Sequence, residues 1–112
     1  MLTIYHNPRC SKSRQTLTFI EENGAPFSIV TYLDTPLDIK QLKALCAKLE
    51  LNPKDITRTS EAVFKTIITP EADDEWYAAL TQHPILMQRP IVVKGNKAII
   101  GRPPENVLAL LG

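Results

Sequence analysis

The order of apolar segments in this sequence predicts an α/β fold built on a mixed sheet. Three observations carry the prediction. A short β-leaning run, Leu2 to Tyr5, passes through Asn7-Pro8 directly into a helix; a second branched run follows that helix; two more branched runs, joined by Gly95-Asn96, lie near the end of the chain. The first strand, the helix and the second strand make a βαβ unit, whose strands run parallel because a helical crossover intervenes.

Each element has its own signals. The first helix is expected from about Ser11 to Asn23, with Leu17 and Ile20 facing inward and Gly24 as its stop. Phe27 to Tyr32, aromatic and branched, reads as the second strand. Thr35-Pro36-Leu37-Asp38 supplies an N-cap hydroxyl, a proline at the first helical position and an acid in the first turn, and Leu42, Leu45, Cys46 and Leu49 follow at helical spacing. The same start signal recurs at Asn52-Pro53-Lys54-Asp55 and at Thr69-Pro70-Glu71. Asp73, Asp74 and Glu75 then lead into a helix holding Trp76, Tyr77 and Leu80, so a helical insert spans about residues 36–83. Ile91 to Val93 and Ile99-Ile100 form a hairpin about Gly95-Asn96. Pro103-Pro104-Glu105 opens a last helix, with Val107, Leu108 and Leu111 expected to cover one face. The order βαβ, helical insert, ββα is that of the thioredoxin-like fold, a four-stranded mixed sheet sandwiched by helices. At 112 residues it is expected as one domain over 1–112.

Bulk properties exclude several function classes. The 13 basic and 12 acidic residues leave a net charge of +1, so nothing invites nucleic acid or an anionic membrane, and any anion site is local. No apolar run approaches the roughly 18 residues of a membrane span, and no basic-then-apolar leader is present. Two cysteines, Cys10 and Cys46, cannot build a disulfide framework. A cytoplasmic protein is expected.

Cys10 is the centre of any functional reading. It opens the first helix, where unpaired backbone N–H groups and the positive end of the helix dipole favour a thiolate and welcome an anion. A free cysteine is often a small buried hydrophobe, but Arg9, Ser11, Lys12, Ser13 and Arg14 surround this one with polar and basic side chains. In such settings a thiol pKa falls to roughly 3.5 to 7.5. Ser13 stands where a Cys-x-x-Cys motif carries its resolving cysteine, so an external reductant is needed. Cys46, on the apolar stripe of a helix, reads as core. His6 either lowers the thiol pKa as an imidazolium or is a hydrogen-bonded turn residue, and His83, at a helix end before Pro84, reads as a cap. Arg58, Arg89 and Arg102 each stand at a loop or element end, where binding groups are usually placed, and arginine's planar fork suits oxyanions. Spacing alone does not bring them together.

With these residues in view the sequence resembles the arsenate reductases of the glutaredoxin-linked, thioredoxin-fold type. The matching residues are Tyr5-His6-Asn7-Pro8-Arg9-Cys10 with Ser13, Arg58, His83-Pro84-Ile85-Leu86, Arg89-Pro90-Ile91-Val92-Val93 and Gly101-Arg102-Pro103. The resemblance implies Cys10 as nucleophile, with His6 and Ser13 at its side and His6 helping to hold the thiolate. It further implies Arg58, Arg89 and Arg102 as the oxyanion pocket and a cis peptide before Pro90. The implied reaction reduces arsenate to arsenite in a monomer. Glutathione serves as co-substrate and glutaredoxin as electron donor, with no bound cofactor, metal, nucleic acid or membrane. The sequence is shorter at its C-terminal end than the resistance-type members. Two other readings accompany this one: a monothiol glutathione-linked reductase of another substrate, and a regulator like the Spx group that binds RNA polymerase. Ser13 argues against the intramolecular disulfide switch used by members of the latter that carry Cys-x-x-Cys.

Overall fold

Leu2 and Ile4 alternate with the half-buried Thr3 and Tyr5, and this period of two places β1 (Leu2–Tyr5) at the centre of a sheet. In the computed structural model, which describes residues 1–111, the sheet has the order β2-β1-β3-β4. β1 pairs parallel with β2 (Phe27–Val30), Ile4 facing Ile29, and antiparallel with β3 (Ile91–Lys94), Ile4 facing Val92. β3 turns through Gly95, at φ +61°, into antiparallel β4 (Lys97–Ile100). The architecture is thioredoxin-like, with α1 (Ser11–Asn23) connecting the two parallel strands.

The chain clusters into two compact units, Met1–Thr35 with Arg89–Gly112, and Pro36–Gln88. The first has its core where Leu2, Ile4 and Val92 of the sheet meet Ile20 of α1 and Val107 and Leu110 near the C-terminal end. α1 ends at Gly24, whose φ of +80° is the left-handed stop expected from the sequence. β2 stops at Val30 instead of Tyr32, because the chain turns at Thr31: the Asp34 and Thr35 N–H groups both donate to its carbonyl at 3.0 Å.

The second unit contains α2 (Ile39–Leu49), 3₁₀ turns over Pro53–Ile56, Ala62–Thr66 and Pro84–Leu86, and α3 (Asp73–Gln82). Leu42, Leu45, Trp76 and Leu80 are buried there, and Phe64 stacks on Trp76 at 5.8 Å. α2 is capped by Asp38 and not by Thr35. The Asp38 carboxylate accepts the Gln41 N–H at 2.7 Å and the Gln41 side chain accepts the Asp38 N–H at 2.9 Å, a reciprocal box that a threonine three residues earlier does not offer. α3 likewise starts at Asp73 rather than at Thr69-Pro70, where Glu75 accepts the Ala72 N–H at 3.0 Å. After β4 the chain takes a 3₁₀ turn (Pro104–Val107) and then α4 (Leu108–Leu111). Three residues per turn in place of 3.6 rotates the apolar phase. Leu110 is therefore buried, while Leu108, expected inside, is half exposed. Among the described residues no helix is long and apolar enough to cross a membrane.

Candidate active site

Cys10 is the N-cap residue of α1, with extended backbone angles, and its carbonyl accepts the first helical N–H, from Arg14, at 3.0 Å. The strand-to-helix loop is set by Asn7. Its carbonyl accepts the Cys10 N–H at 3.0 Å, its side-chain oxygen accepts the Arg9 N–H at 3.0 Å, and its own N–H donates to Ser13 Oγ at 3.0 Å. An Asn-Pro pair is a turn signal, but nothing in the spacing indicated that Asn7 would organise three bonds around the cysteine. Arg14 reinforces the loop by donating from Nη1 to the Pro8 carbonyl at 2.9 Å.

The Cys10 sulfur is partly exposed and charged more easily than an ordinary thiol. Burial pushes its pKa up, but the Ser13 N–H, the Arg89 guanidinium and the Lys12 N–H hydrogen-bond the sulfur, and the Arg89 charge adds to them. The net value falls below 9.0. The collar of exposed Arg9, Ser11, Lys12 and Arg14 agrees with the electropositive surroundings expected from the sequence. Cys46 is the reverse case. It is buried in the second unit, where burial pushes its pKa up against a hydrogen bond from Tyr77; burial and the Cys46 contact hold Tyr77 at about 12.

His6 and Ser13 form one buried unit. His6 Nδ1 and Ser13 Oγ lie 2.7 Å apart, and Ser13 has no exposed surface. Burial and the nearby Arg14 charge lower the His6 pKa against an opposing pull from Glu21, so the ring is neutral at pH 7. His6 is thus seen as a hydrogen-bonded residue of the turn, with Ser13 as its partner. The Ser13 hydroxyl is taken up by His6 and Asn7, and its N–H faces the sulfur.

The arginines divide. Arg89, largely buried and followed by a cis bond to Pro90, reaches Cys10 directly. Arg102 donates from Nη1 to the Arg89 carbonyl at 3.4 Å, and the Arg102–Pro103 bond is also cis, which the sequence did not suggest. Arg58 lies in the other unit, its N–H bonded to the Leu86 carbonyl at 2.6 Å and its Nε 3.3 Å from a Glu61 carboxylate oxygen. His83 is the C-cap residue of α3, its N–H donating to the Ala79 carbonyl at 2.8 Å. Gly101 completes the setting of Arg89. Its N–H donates to the Pro90 carbonyl at 2.9 Å, and a Cβ there would lie 2.6 Å from Thr16 Oγ1 and 2.8 Å from Pro90 Cγ. Among the described residues no group of three or more His, Cys, Asp and Glu side chains is placed to hold a metal. What the arrangement offers is a stabilised thiolate beside a guanidinium, suited to nucleophilic attack on an oxyanion.

Comparison with known proteins agrees with this chemistry. The ArsC family model matches residues 5–110. An arsenate reductase of Neisseria meningitidis serogroup A is 42% identical, covering 98% of this chain and 97% of its own, and one of Haemophilus influenzae is 39% identical, covering 96% and 97%. A solved arsenate reductase from Vibrio cholerae superposes with a TM-score of 0.92 at 41% identity, over 96% of this chain and 95% of that one.

Proposed function

The chain belongs to the ArsC family, and from that membership and the geometry around Cys10 we propose that it is an arsenate reductase drawing electrons from glutathione and glutaredoxin. The observation that supports the reading most directly is the Arg89 guanidinium on a sulfur already stabilised by the Ser13 and Lys12 N–H groups. Arsenate docks on Arg89 and Arg102, the Cys10 thiolate attacks arsenic, and one oxygen leaves as water. Glutathione displaces a second oxygen in the same way. The two sulfur–arsenic bonds then break as a disulfide forms between Cys10 and glutathione; the electron pair stays with arsenic, which passes from the pentavalent to the trivalent state, takes up one water in place of the second oxygen lost, and leaves as arsenite. Glutaredoxin removes the glutathionyl group and restores the thiol. Ser13 cannot replace this external thiol, because it offers no second sulfur. The arginines stabilise negative charge as it gathers on the arsenate oxygens.

Steady-state arsenate reduction by the purified protein with glutathione and glutaredoxin tests the proposal. Cys10→Ser is expected to abolish turnover, and Arg89→Ala to lower the rate by about 10² to 10³, as removal of one oxyanion donor does elsewhere. Full activity in the Cys10→Ser protein would exclude the mechanism.

A further inference from the structure

The loop that carries the nucleophile has a second flank, unused by the oxyanion chemistry. The loop leaves the central strand β1; Arg89-Pro90 leads into β3 on one side of it, and the turn Thr31 to Asp34 leaves β2 on the other. On the β2 side lies an open cavity of about 280 Å³, walled by Asn7, Pro8 and Arg9 from the Cys10 loop and by Thr31, Leu33 and Asp34 from the turn. Both walls are held by main-chain bonds, the Arg9 N–H to Asn7 Oδ1 and the Asp34 and Thr35 N–H groups to the Thr31 carbonyl. Arg9 and Asp34 are exposed, and among the described residues neither has an ion-pair partner. The rim therefore presents one cation without an ion-pair partner, on the residue before the nucleophile, and one such anion on the opposite wall.

We propose that this cavity seats the amino-acid head of the reducing thiol, a small glutathione-type molecule whose α-carboxylate meets Arg9 and whose α-ammonium meets Asp34. The proposal rests on the reading of Cys10 as the nucleophile of a thiol-dependent reductase. That chemistry ends with a disulfide joining Cys10 to the co-substrate, so the body of the co-substrate must lie beside Cys10. On that reading the oxyanion takes the Arg89 flank, which leaves the open β2 flank for the co-substrate. A volume near the lower end of small-molecule sites suits one charged amino-acid head with the rest of the molecule crossing Pro8 and Arg9 toward the sulfur. Opposite charges on the two walls also set direction, since a head bound the other way round would face like charge at both ends.

The test uses S-methylglutathione, which keeps the head and cannot exchange with a thiol, titrated into the full-length protein and followed by amide resonances. Shifts are expected at Arg9, Leu33 and Asp34. Asp34→Lys and Arg9→Glu should each weaken binding by about tenfold, as when an exposed attraction is turned into repulsion; both positions are exposed, and an otherwise unchanged spectrum verifies folding. No shifts, shifts confined to Ile91, Gly101 and Arg102, or affinities indifferent to the charge reversals would overturn the assignment. Arsenate turnover separates the two proposals. Reduction in a protein that shows no shifts at the cavity removes the co-substrate seat alone. Shifts there in a protein that does not reduce arsenate support the seat and remove arsenate as substrate.

Discussion

Cys10 and Arg89 are coupled through one hydrogen bond, and the coupling has a measurable sign. Because the folded protein holds the thiol below 9.0, the rate of Cys10 alkylation should reach half its maximum below that pH. Arg89→Ala should move the midpoint upward, as followed by iodoacetamide labelling across pH. The same shift is a stability term. A depressed pKa contributes stability that is fully present above the unfolded value and is lost as pH falls through the folded one. The stability difference between the native protein and Cys10→Ser, measured by urea denaturation, should therefore grow as pH rises through that window. His6 behaves similarly for the opposite chemical reason: its neutral form is favoured when folded. Acidification from 6.5 downward should thus cost stability, and His6→Gln should flatten that part of the curve. The thiol was legible from its basic, polar neighbours in sequence. Its cationic partner was legible only as one of three arginines, since Arg89 reaches it through a strand pairing that brings the two ends of the chain together.

At the level of elements, helix starts separate what local sequence decides from what it leaves open. α1 begins and ends where its signals stand, at Cys10 and Gly24. α2 and α3 each begin three residues after their proline signals, because side-chain acceptors at Asp38 and Glu75 complete the first turn and outweigh the hydroxyl of a preceding threonine. Asp38→Ala should accordingly cost about 1 kcal/mol in thermal or urea unfolding, with no comparable effect for Thr35→Ala. The end of β4 is more demanding. A methyl at Gly101 would press on Thr16 and on Pro90, so Gly101→Ala should destabilise by about 1–3 kcal/mol. It should also raise the Cys10 alkylation midpoint, since the displaced Pro90 carries Arg89 with it.

Over the whole molecule, the unit that bears Cys10 is made from the two ends of the sequence, and its core depends on contacts between them. Ile4, with no exposed surface, pairs with Ile29 on one side and Val92 on the other and belongs to the core cluster. Ile4→Ala should cost about 2–5 kcal/mol by denaturant titration. The order of elements sufficed for the fold class, because a βαβ unit and a terminal hairpin restrict the possible sheets to few. The cavity beside Pro8 and Arg9 was not visible in that order. Asp34 lies far along the chain from the cysteine loop, in a turn after a strand whose length the sequence signals overestimated by two residues, and only the parallel pairing of β1 with β2 brings it alongside.

The sealed hydroxyl at position 13 has a bearing on redesign. Exchanging it for sulfur writes a dithiol motif into the sequence, yet the new atom would arrive wedged against an imidazole and a peptide N–H and shut off from solvent. A self-contained redox couple on this scaffold would first require the histidine strut to be dismantled.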